Sequence, residues 1–292
     1  MRAGKRSTAL FFSMAMSFGA VRGAHAQCSW STQPPGVSFG AYDVFSANTV
    51  ASTTSGAISC TGNYNFSVSL SKGGSGTYAP RQMSNGANRA NYNVYVDAGY
   101  TIIYGDGTGG TFVYTGTNNG GTNTYGGTVY AAAPGAQDLA QGTYNDSLVA
   151  TLSYQRTSGG AWTVLPGVTV TVTMAVGAQC RADLFNLTFG NYNPFSAVAL
   201  NQTSTVKVYC TKATTATLAL DNGANVLGAQ KRMRNGASYL NYTATLANTS
   251  PPASSSVLVP LAGGITLNGS VPQSQDAPTG NYIDTLQVQV NF

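Results

Sequence analysis

Short segments in which apolar and polar residues alternate, separated by clusters of Gly and Asn, dominate the chain after residue 26. The most regular of them is VTVTVTMAV at 168–176, where every second residue is apolar. A period of two is typical of a β-strand with one buried face. No segment in this part shows the 3.6-residue period of an amphipathic helix. The pattern predicts an all-β fold, either a sandwich or a barrel.

The same motifs occur twice, at a constant spacing in the sequence. VSFGAYDVFSA at 37–47 returns as LTFGNYNPFSA at 187–197. The agreement continues through Cys60 and Cys210, through 83–87 (MSNGA) and 233–237 (MRNGA), and through the Asn-Tyr pairs at 91–92 and 241–242. A duplicated domain is the simplest explanation.

The second copy is one strand shorter than the first. GTYND at 142–146 aligns with GNYID at 280–284. The alternating residues that follow in the first copy then correspond to Leu286, Val288, Val290 and Phe292. Only the first copy continues into the strand at 168–176, so we expect the second sandwich to lack its final strand. These four side chains would then border a strand-accepting surface that a chaperone could also contact.

The missing strand would be costly. Val168, Val170, Val172, Met174 and Val176 show which side chains ought to fill the gap. At ~1.5–3 kcal/mol for each buried side chain, five residues represent roughly 7–15 kcal/mol, which is as much as the stability of an ordinary domain. We therefore expect the second copy to bind a strand from another chain.

Residues 1–26 read as a secretory signal peptide. Arg2, Lys5 and Arg6 precede the apolar run 9–20 and the small-residue cleavage site AHA at 24–26. Cleavage removes four of the 14 Lys and Arg residues and none of the nine Asp residues, which lowers the net charge from +5 to +1. Nucleic acid is therefore not an expected partner. No later segment is apolar enough for a membrane span, so we expect an exported protein.

The four cysteines occur as one pair in each copy: Cys28 and Cys60, then Cys180 and Cys210. Four cysteines allow three pairings, and the repeat favours one disulfide within each copy. An oxidising compartment favours disulfide formation. A metal site is not expected, because there is no CxxC motif and the one histidine, His25, lies in the signal peptide.

The chain after the signal peptide offers little catalytic chemistry. It has no His and no Glu, so a Ser-His-Asp or Cys-His arrangement cannot be built. Asp146 and Asp284 occupy equivalent positions at the start of a strand, and this duplication favours a structural role in a turn. We expect no enzyme activity and no cofactor.

Several motifs together resemble the spore coat protein U domain family, which includes subunits of archaic chaperone-usher pili of the Csu type. They are the FG-x-Y segments at 39–42 and 189–192, the following cysteines, the R/K-x-M segments and the G-x-Y-x-D strands. The resemblance covers nearly the whole chain after the signal peptide. It implies tandem immunoglobulin-like sandwiches, the second incomplete. It also implies three partners: a periplasmic pilus chaperone, an outer-membrane usher, and an adjacent pilin subunit that donates a strand.

Only Gln27 precedes Cys28 after cleavage. We therefore expect a subunit that accepts a strand and has none to donate, which places it at the pilus tip on the cell surface. In this interpretation residues 27–177 are a receptor-binding adhesin domain and 178–292 a pilin domain. The function implied is attachment to an abiotic or host surface, supporting biofilm formation.

Two regions of the first copy are candidates for surface binding. The turn 157–162 precedes the last strand and should lie at the far end, and the segment 99–141 is longer than its counterpart 249–279. The candidate residues are Trp162, Tyr100, Ile102, Ile103, Tyr104, Phe112 and Tyr114. The alternative for Ile102, Ile103 and Phe112 is that they pack inside the sandwich.

Two other functions stay open from the sequence. A lectin-like tip would bind carbohydrate through aromatic faces and polar groups such as Tyr64, Asn118, Asn119 and Asp106. Inhibition of adhesion by a simple sugar would favour it. A structural spore-coat or matrix protein is the other alternative, and the absence of neighbouring chaperone and usher genes would support it.

Overall fold

The computed structural model describes residues 27–292, so the predicted signal peptide lies outside the described residues. The described chain forms β-strands, two short 3₁₀ turns and connecting segments. The prediction of an all-β fold is confirmed. Within residues 27–292, no helix has the length and apolar character needed to cross a membrane. Residues 27–177 are called the first repeat and residues 178–292 the second repeat.

The first repeat has nine strands and a 3₁₀ turn at Thr108–Gly110. The strands are β1 (Cys28–Thr32), β2 (Val37–Tyr42), β3 (Val50–Leu70), β4 (Arg81–Asn85), β5 (Asn88–Tyr95), β6 (Tyr114–Ala133), β7 (Gly142–Arg156), β8 (Thr163–Val164) and β9 (Val168–Val176). They pair in the order β1-β3-β6-β5-β4-β7-β9-β2, with β8 on β7 and a further pairing between β3 and β7.

The second repeat has shorter strands and a 3₁₀ turn at Leu261–Gly263. Its strands are β10 (Cys180–Ala182), β11 (Leu200–Val206), β12 (Val208–Cys210), β13 (Thr217–Leu220), β14 (Lys231–Asn235), β15 (Ser238–Leu246), β16 (Ile265–Val271) and β17 (Val288–Asn291). They pair as β10-β12, β13-β17 and β11-β16-β15-β14.

The long strand β3 serves both faces of the first repeat. Its N-terminal part pairs with β1, and its C-terminal part, from Tyr64 onward, pairs with β7. The pairing with β6 shifts register between Thr61 and Asn63, and Gly62 there has φ +93°. A glycine adopts this positive φ without the steric cost of a Cβ. The strand therefore turns a corner at Gly62, and the two parts enclose one apolar core.

Strand β9 closes the first repeat by lying between two other strands. It pairs antiparallel with β7 and parallel with β2. Its inward side chains Val170, Val172, Met174 and Val176 are all buried. On β7 the alternate residues Leu148, Ala150, Leu152 and Tyr154 are buried as well. The alternate apolar residues recognised in the sequence are therefore the side chains that form the core.

In the second repeat, the pairing of β13 with β17 reproduces the pairing of β3 with β7 in the first. Leu218 on β13 faces Val290 on β17, as Val68 on β3 faces Leu152 on β7. Val290 matches Leu152 by the same offset that aligns 142–146 with 280–284. Residues 183–193, which align with β2 and the residues beside it, form no strand. In the first repeat β2 pairs with β9. In the second repeat no described segment occupies the place of β9.

Each repeat carries one disulfide, Cys28–Cys60 in the first and Cys180–Cys210 in the second. These are the pairs that the repeat favours. Each joins two directly opposed residues of neighbouring strands. In the chain-entropy model, closing a loop of this length stabilises the fold by about 3–4 kcal/mol.

The two repeats touch through the segment that precedes Leu261–Gly263. Val257 is buried in the apolar cluster of the first repeat, and its N–H donates to Asp138 Oδ1 at 2.9 Å. The N–H of Gln141 donates to the carbonyl of Lys212 at 3.3 Å. Strand β9 ends near this junction, and at ~3.3 Å per residue its first residue lies about 26 Å farther from it. The residues before β9 therefore belong to the distal end of the first repeat.

Candidate functional sites

An open groove runs along the second repeat, on the side where β9 lies in the first. It has a volume of 580 Å³ and lies between residues 182–189 and 282–288, with Met233 and Tyr242 at its base. Leu187 and Phe189 on one wall correspond to Val37 and Phe39 of β2. Tyr282, Leu286 and Val288 on the other correspond to Tyr144, Leu148 and Ala150 of β7. The groove therefore has the walls that hold β9 in the first repeat.

The side chains along the groove are less buried than their counterparts. Tyr144 and Leu148 are fully buried under β9, whereas Tyr282 and Leu286 are half-buried. Met83 is fully buried, and its counterpart Met233 is half-buried. A strand laid into the groove would remove this apolar surface from water, which is the main stabilising term in folding and association.

The backbone of residues 282–288, beside the groove, is hydrogen-bonded along one edge only. Ile283 exchanges hydrogen bonds with Arg234, while the carbonyls of Thr285 and Gln287 accept from Ala224 and Asp221. These bonds all lie on one side of the segment. Among the described residues, no main-chain partner is present for the alternate residues Tyr282, Asp284 and Leu286. Their counterparts Tyr144, Asp146 and Leu148 pair with β9. A row of unpaired backbone groups is a template for strand addition.

The rim of the groove is also apolar. Leu184 is fully exposed and Ile283 is 64% exposed. Of the residues predicted from sequence, Leu286, Val288 and Val290 pack against the core of the second repeat, and Phe292 extends past its last strand. Sequence reasoning missed Leu184, Leu187, Phe189 and Ile283. The alignment of 187–192 with 37–42 could have identified the opposite wall, because β2 is a neighbour of β9.

The segment beside the groove is held from within by a half-buried carboxylate, Asp284. Tyr242 donates its hydroxyl to Asp284 Oδ2 at 2.6 Å, and the N–H of Asn225 donates to Asp284 Oδ1 at 3.1 Å. Burial, followed by the hydrogen bond to Asp284, raises the pKa of Tyr242 above its usual value.

The first repeat holds β7 with the same contact. Tyr92 donates to Asp146 Oδ2 at 2.6 Å, and Gly74 N–H donates to Asp146 Oδ1 at 2.8 Å. Each Asp therefore anchors a loop and a tyrosine to the strand. This is the structural role that the duplication of these two residues suggested.

Trp162 lies beside β8 at the distal end of the first repeat. It is 46% exposed, and nearby Val164 is 62% exposed. Val164 pairs with Ser153 of β7. In the turn before β8, the N–H of Thr157 donates to the carbonyl of Asn63. Val164 therefore lies on a short strand supported by β7, and Trp162 directly precedes that strand.

The segment 99–114 contributes a second exposed apolar surface. Ile102 and Phe112 are exposed, whereas Tyr100, Ile103 and Tyr114 are half-buried. Gly105 accepts a hydrogen bond from Leu70, which lies opposite Ala150. Thr163 lies opposite Tyr154, four residues along the same strand, or about 13 Å. The candidate residues therefore divide between two surfaces.

One candidate for surface binding was wrong. Tyr104 is buried, and its hydroxyl donates to the carbonyl of Val68 at 3.1 Å. The N–H of Tyr104 donates to the carbonyl of Val94, and this pairing places the Tyr104 side chain in the core of the first repeat. It is therefore unavailable to a surface.

Two of the four residues considered for carbohydrate binding, Tyr64 and Asn118, are internal. Asn118 is fully buried and donates to the carbonyl of Gly62 at 2.6 Å, and it accepts from Tyr125 at 2.9 Å. Tyr64 is buried too. Asp106 is exposed, but it accepts from Thr108 of its own turn. Of the four residues, only Asn119 and Asp106 are exposed.

A family model described as the Spore Coat Protein U domain matches residues 15–151 and 167–289, the same two stretches that carry the repeat. The chain belongs to this family. Among solved structures, this Spore Coat Protein U chain is similar to the CsuC–CsuE chaperone–tip adhesion subunit complex from archaic chaperone-usher Csu pili of Acinetobacter baumannii. The identity is 15%, the match covers 91% of this chain and 100% of that one, and the TM-score is 0.49.

Two other solved structures are similar to this Spore Coat Protein U chain at lower scores. The CupB6 tip adhesin from Pseudomonas aeruginosa has 7% identity, a TM-score of 0.36, and coverage of 91% of this chain and 94% of that one. A chaperone–tip adhesin complex of CFA/I fimbriae has 11% identity, a TM-score of 0.31, and coverage of 85% and 78%. No curated protein matches the chain.

Proposed function

We propose that this Spore Coat Protein U chain is a tip adhesin of a chaperone-usher pilus, with residues 178–292 as a pilin domain and residues 27–177 as the adhesin domain. The observation that carries the proposal is the groove of the second repeat, whose walls match those around β9. A strand from another chain would complete the sandwich by adding main-chain hydrogen bonds and apolar side chains together.

The partners follow from the groove. A periplasmic chaperone would occupy it first, covering Leu286 and Val288 during export. A neighbouring pilin subunit would then replace the chaperone at the outer-membrane usher. The exposed rim residues Leu184 and Ile283 supply contact surface beyond the groove, and such apolar patches are typical of interaction sites.

A graft tests strand acceptance directly. In the first repeat Tyr154 corresponds to Phe292, so residues 155–176 can be appended after Phe292 to supply the second repeat with its own final strand. Burying the counterparts of Val170, Val172 and Met174 at ~1.5–3 kcal/mol each should stabilise the second repeat by roughly 5–9 kcal/mol. Pulse proteolysis in urea, read by fragments from residues 178–292, measures the gain.

The matched control carries the same graft with Ser in place of those three apolar residues. It has the same length and the same backbone donors and acceptors, but it leaves the groove without apolar filling. We expect little stabilisation from it. If the two grafts stabilise the second repeat equally, or neither does, the groove does not accept a strand in the way β7 accepts β9.

The adhesin domain would attach through exposed apolar residues at its distal end, on abiotic or host surfaces, and so support biofilm formation. Replacing Trp162 and Val164 by Ser should reduce attachment of piliated cells to polystyrene. Leu258, which is 73% exposed on the second repeat, provides a control when replaced by Ser. Equal attachment by the two variants would contradict a distal apolar site, and inhibition by a simple sugar would point to a lectin.

A further inference from the structure

The first repeat contains an apolar cavity between its two faces, separate from the groove of the second repeat. Its volume is 340 Å³, and its wall includes Trp30, Ile58, Val68, Val94 and Leu148. A cavity of about 150 Å³ with similar lining is large enough for a benzene-sized molecule. At ~30 Å³ for each water-sized group, 340 Å³ has room for roughly ten heavy atoms.

The wall of the cavity offers no charge and few free polar groups. None of its lining residues is an acid or a base. The hydroxyl of Thr54 donates to the Pro35 carbonyl at 3.1 Å, and that of Tyr125 donates to Asn118 Oδ1 at 2.9 Å. These hydroxyls are already engaged in the fold. Trp30 Nε1 is the one buried side-chain donor of this wall that has no partner among the described residues. Elsewhere along the wall a polar group would lose water without gaining a partner, which is costly, so the cavity favours hydrocarbon.

The mouth of the cavity lies at a glycine-rich part of β6. Gly126, Gly127 and Thr128 line the cavity and are also exposed. On the same strand Tyr125 and Val129 pack against the core, so by alternation Gly127 faces inward as well. A Cβ added at Gly127 would meet no heavy atom within 4 Å. The absent side chain at Gly127 leaves part of this space open.

The second repeat differs at the position of the largest wall residue. Trp30 stands two residues after Cys28 and opposite Ile58, and Ala182 stands two residues after Cys180 and opposite Val208. The aromatic wall is therefore a property of the first repeat, and the duplication alone does not account for it.

We propose that this cavity is a binding site for a small free molecule with an unbranched aliphatic chain of about eight carbons. The chain enters past Gly127 and lies against Trp30, while one uncharged polar head remains at the mouth. The volume excludes long lipid chains, and the lining excludes molecules that are polar at both ends. This site is distinct from the strand-accepting groove and does not depend on it.

The test uses the full exported chain and 1-octanol, followed through indole N–H signals in NMR. The chain has two tryptophans, and a Trp30→Phe variant assigns their signals. We expect 1-octanol to shift the Trp30 signal saturably. We expect 1,8-octanediol to bind at least about tenfold more weakly, because burying its second hydroxyl in a largely apolar cavity costs free energy.

Two variants on β6 complete the test. Gly127→Leu fills the cavity from within and should weaken 1-octanol binding at least about tenfold while leaving the protein folded. Thr124→Leu adds the same group to an exposed residue on the outward side of β6 that does not line the cavity, and it should leave binding unchanged. The proposal is overturned if 1-octanol gives no saturable shift, if the diol binds equally well, or if the two variants behave alike.

Discussion

Replacing Leu148 by Ala should destabilise the first repeat much more than Leu286→Ala destabilises the second, although the two residues are repeat equivalents. Leu148 is fully buried and lies opposite Val170 of β9. Truncating a buried Leu costs about 2–5 kcal/mol, which includes a term for the cavity left behind. Leu286 is half-buried beside the open groove. Water enters there without a cavity term, so we expect about 3 kcal/mol for Leu148 and about 1 kcal/mol for Leu286.

Urea unfolding can measure the two losses separately. Both tryptophans, Trp30 and Trp162, belong to the first repeat, so their fluorescence follows Leu148→Ala. With a urea dependence of ~2 kcal/mol per molar, a loss of about 3 kcal/mol lowers the midpoint by about 1.5 M. Pulse proteolysis of fragments from residues 178–292 follows Leu286→Ala. Equal losses at the two positions would refute the idea that Leu286 borders an unfilled site.

Two further predictions concern the contacts that hold β7. Burial, followed by the hydrogen bond to Asp146, raises the pKa of Tyr92 above its usual value, so its contribution to stability is complete below the unfolded pKa near 10 and is lost as the pH rises above it. The midpoint of urea unfolding should therefore fall between pH 9 and 11, and by less in Tyr92→Phe. Gly73→Ala would place a Cβ 2.2 Å from Asp146 Oδ2 at φ +72°. It should cost more than Gly76→Ala, whose φ is +69° with no neighbour within 4 Å, for which we expect ~1 kcal/mol. Equal midpoints for these two variants would contradict the close approach.

The duplicated motifs were enough to predict the main architecture. Because a strand side chain alternates with period two, aligning 142–146 with 280–284 identified Leu286, Val288, Val290 and Phe292 as the residues beside the missing strand. Of these, Leu286 and Val288 line the groove. Strand β9 was evident because its alternation is unbroken.

Other features could not be read from the pattern. The segment 99–114 mixes apolar and polar residues without a period, so the burial of Tyr104 depends on its contact with Val94 from another part of the chain. Asn118 is a polar residue in a Gly-rich stretch, and only the bend of β3 at Gly62 turns it into an internal hydrogen-bonding group. The apolar cavity likewise arises from strands brought together by the fold.

Amide hydrogen exchange with an added peptide tests the central claim most directly. The peptide carries the sequence of Val168–Val176, flanked by lysines for solubility, and is mixed with the full exported chain. The account predicts that the amides of Tyr282, Asp284 and Leu286 exchange rapidly alone and become protected with the peptide. A peptide with the same composition in scrambled order should not protect them. Protection before any peptide is added, or none after, would contradict a groove that accepts a strand.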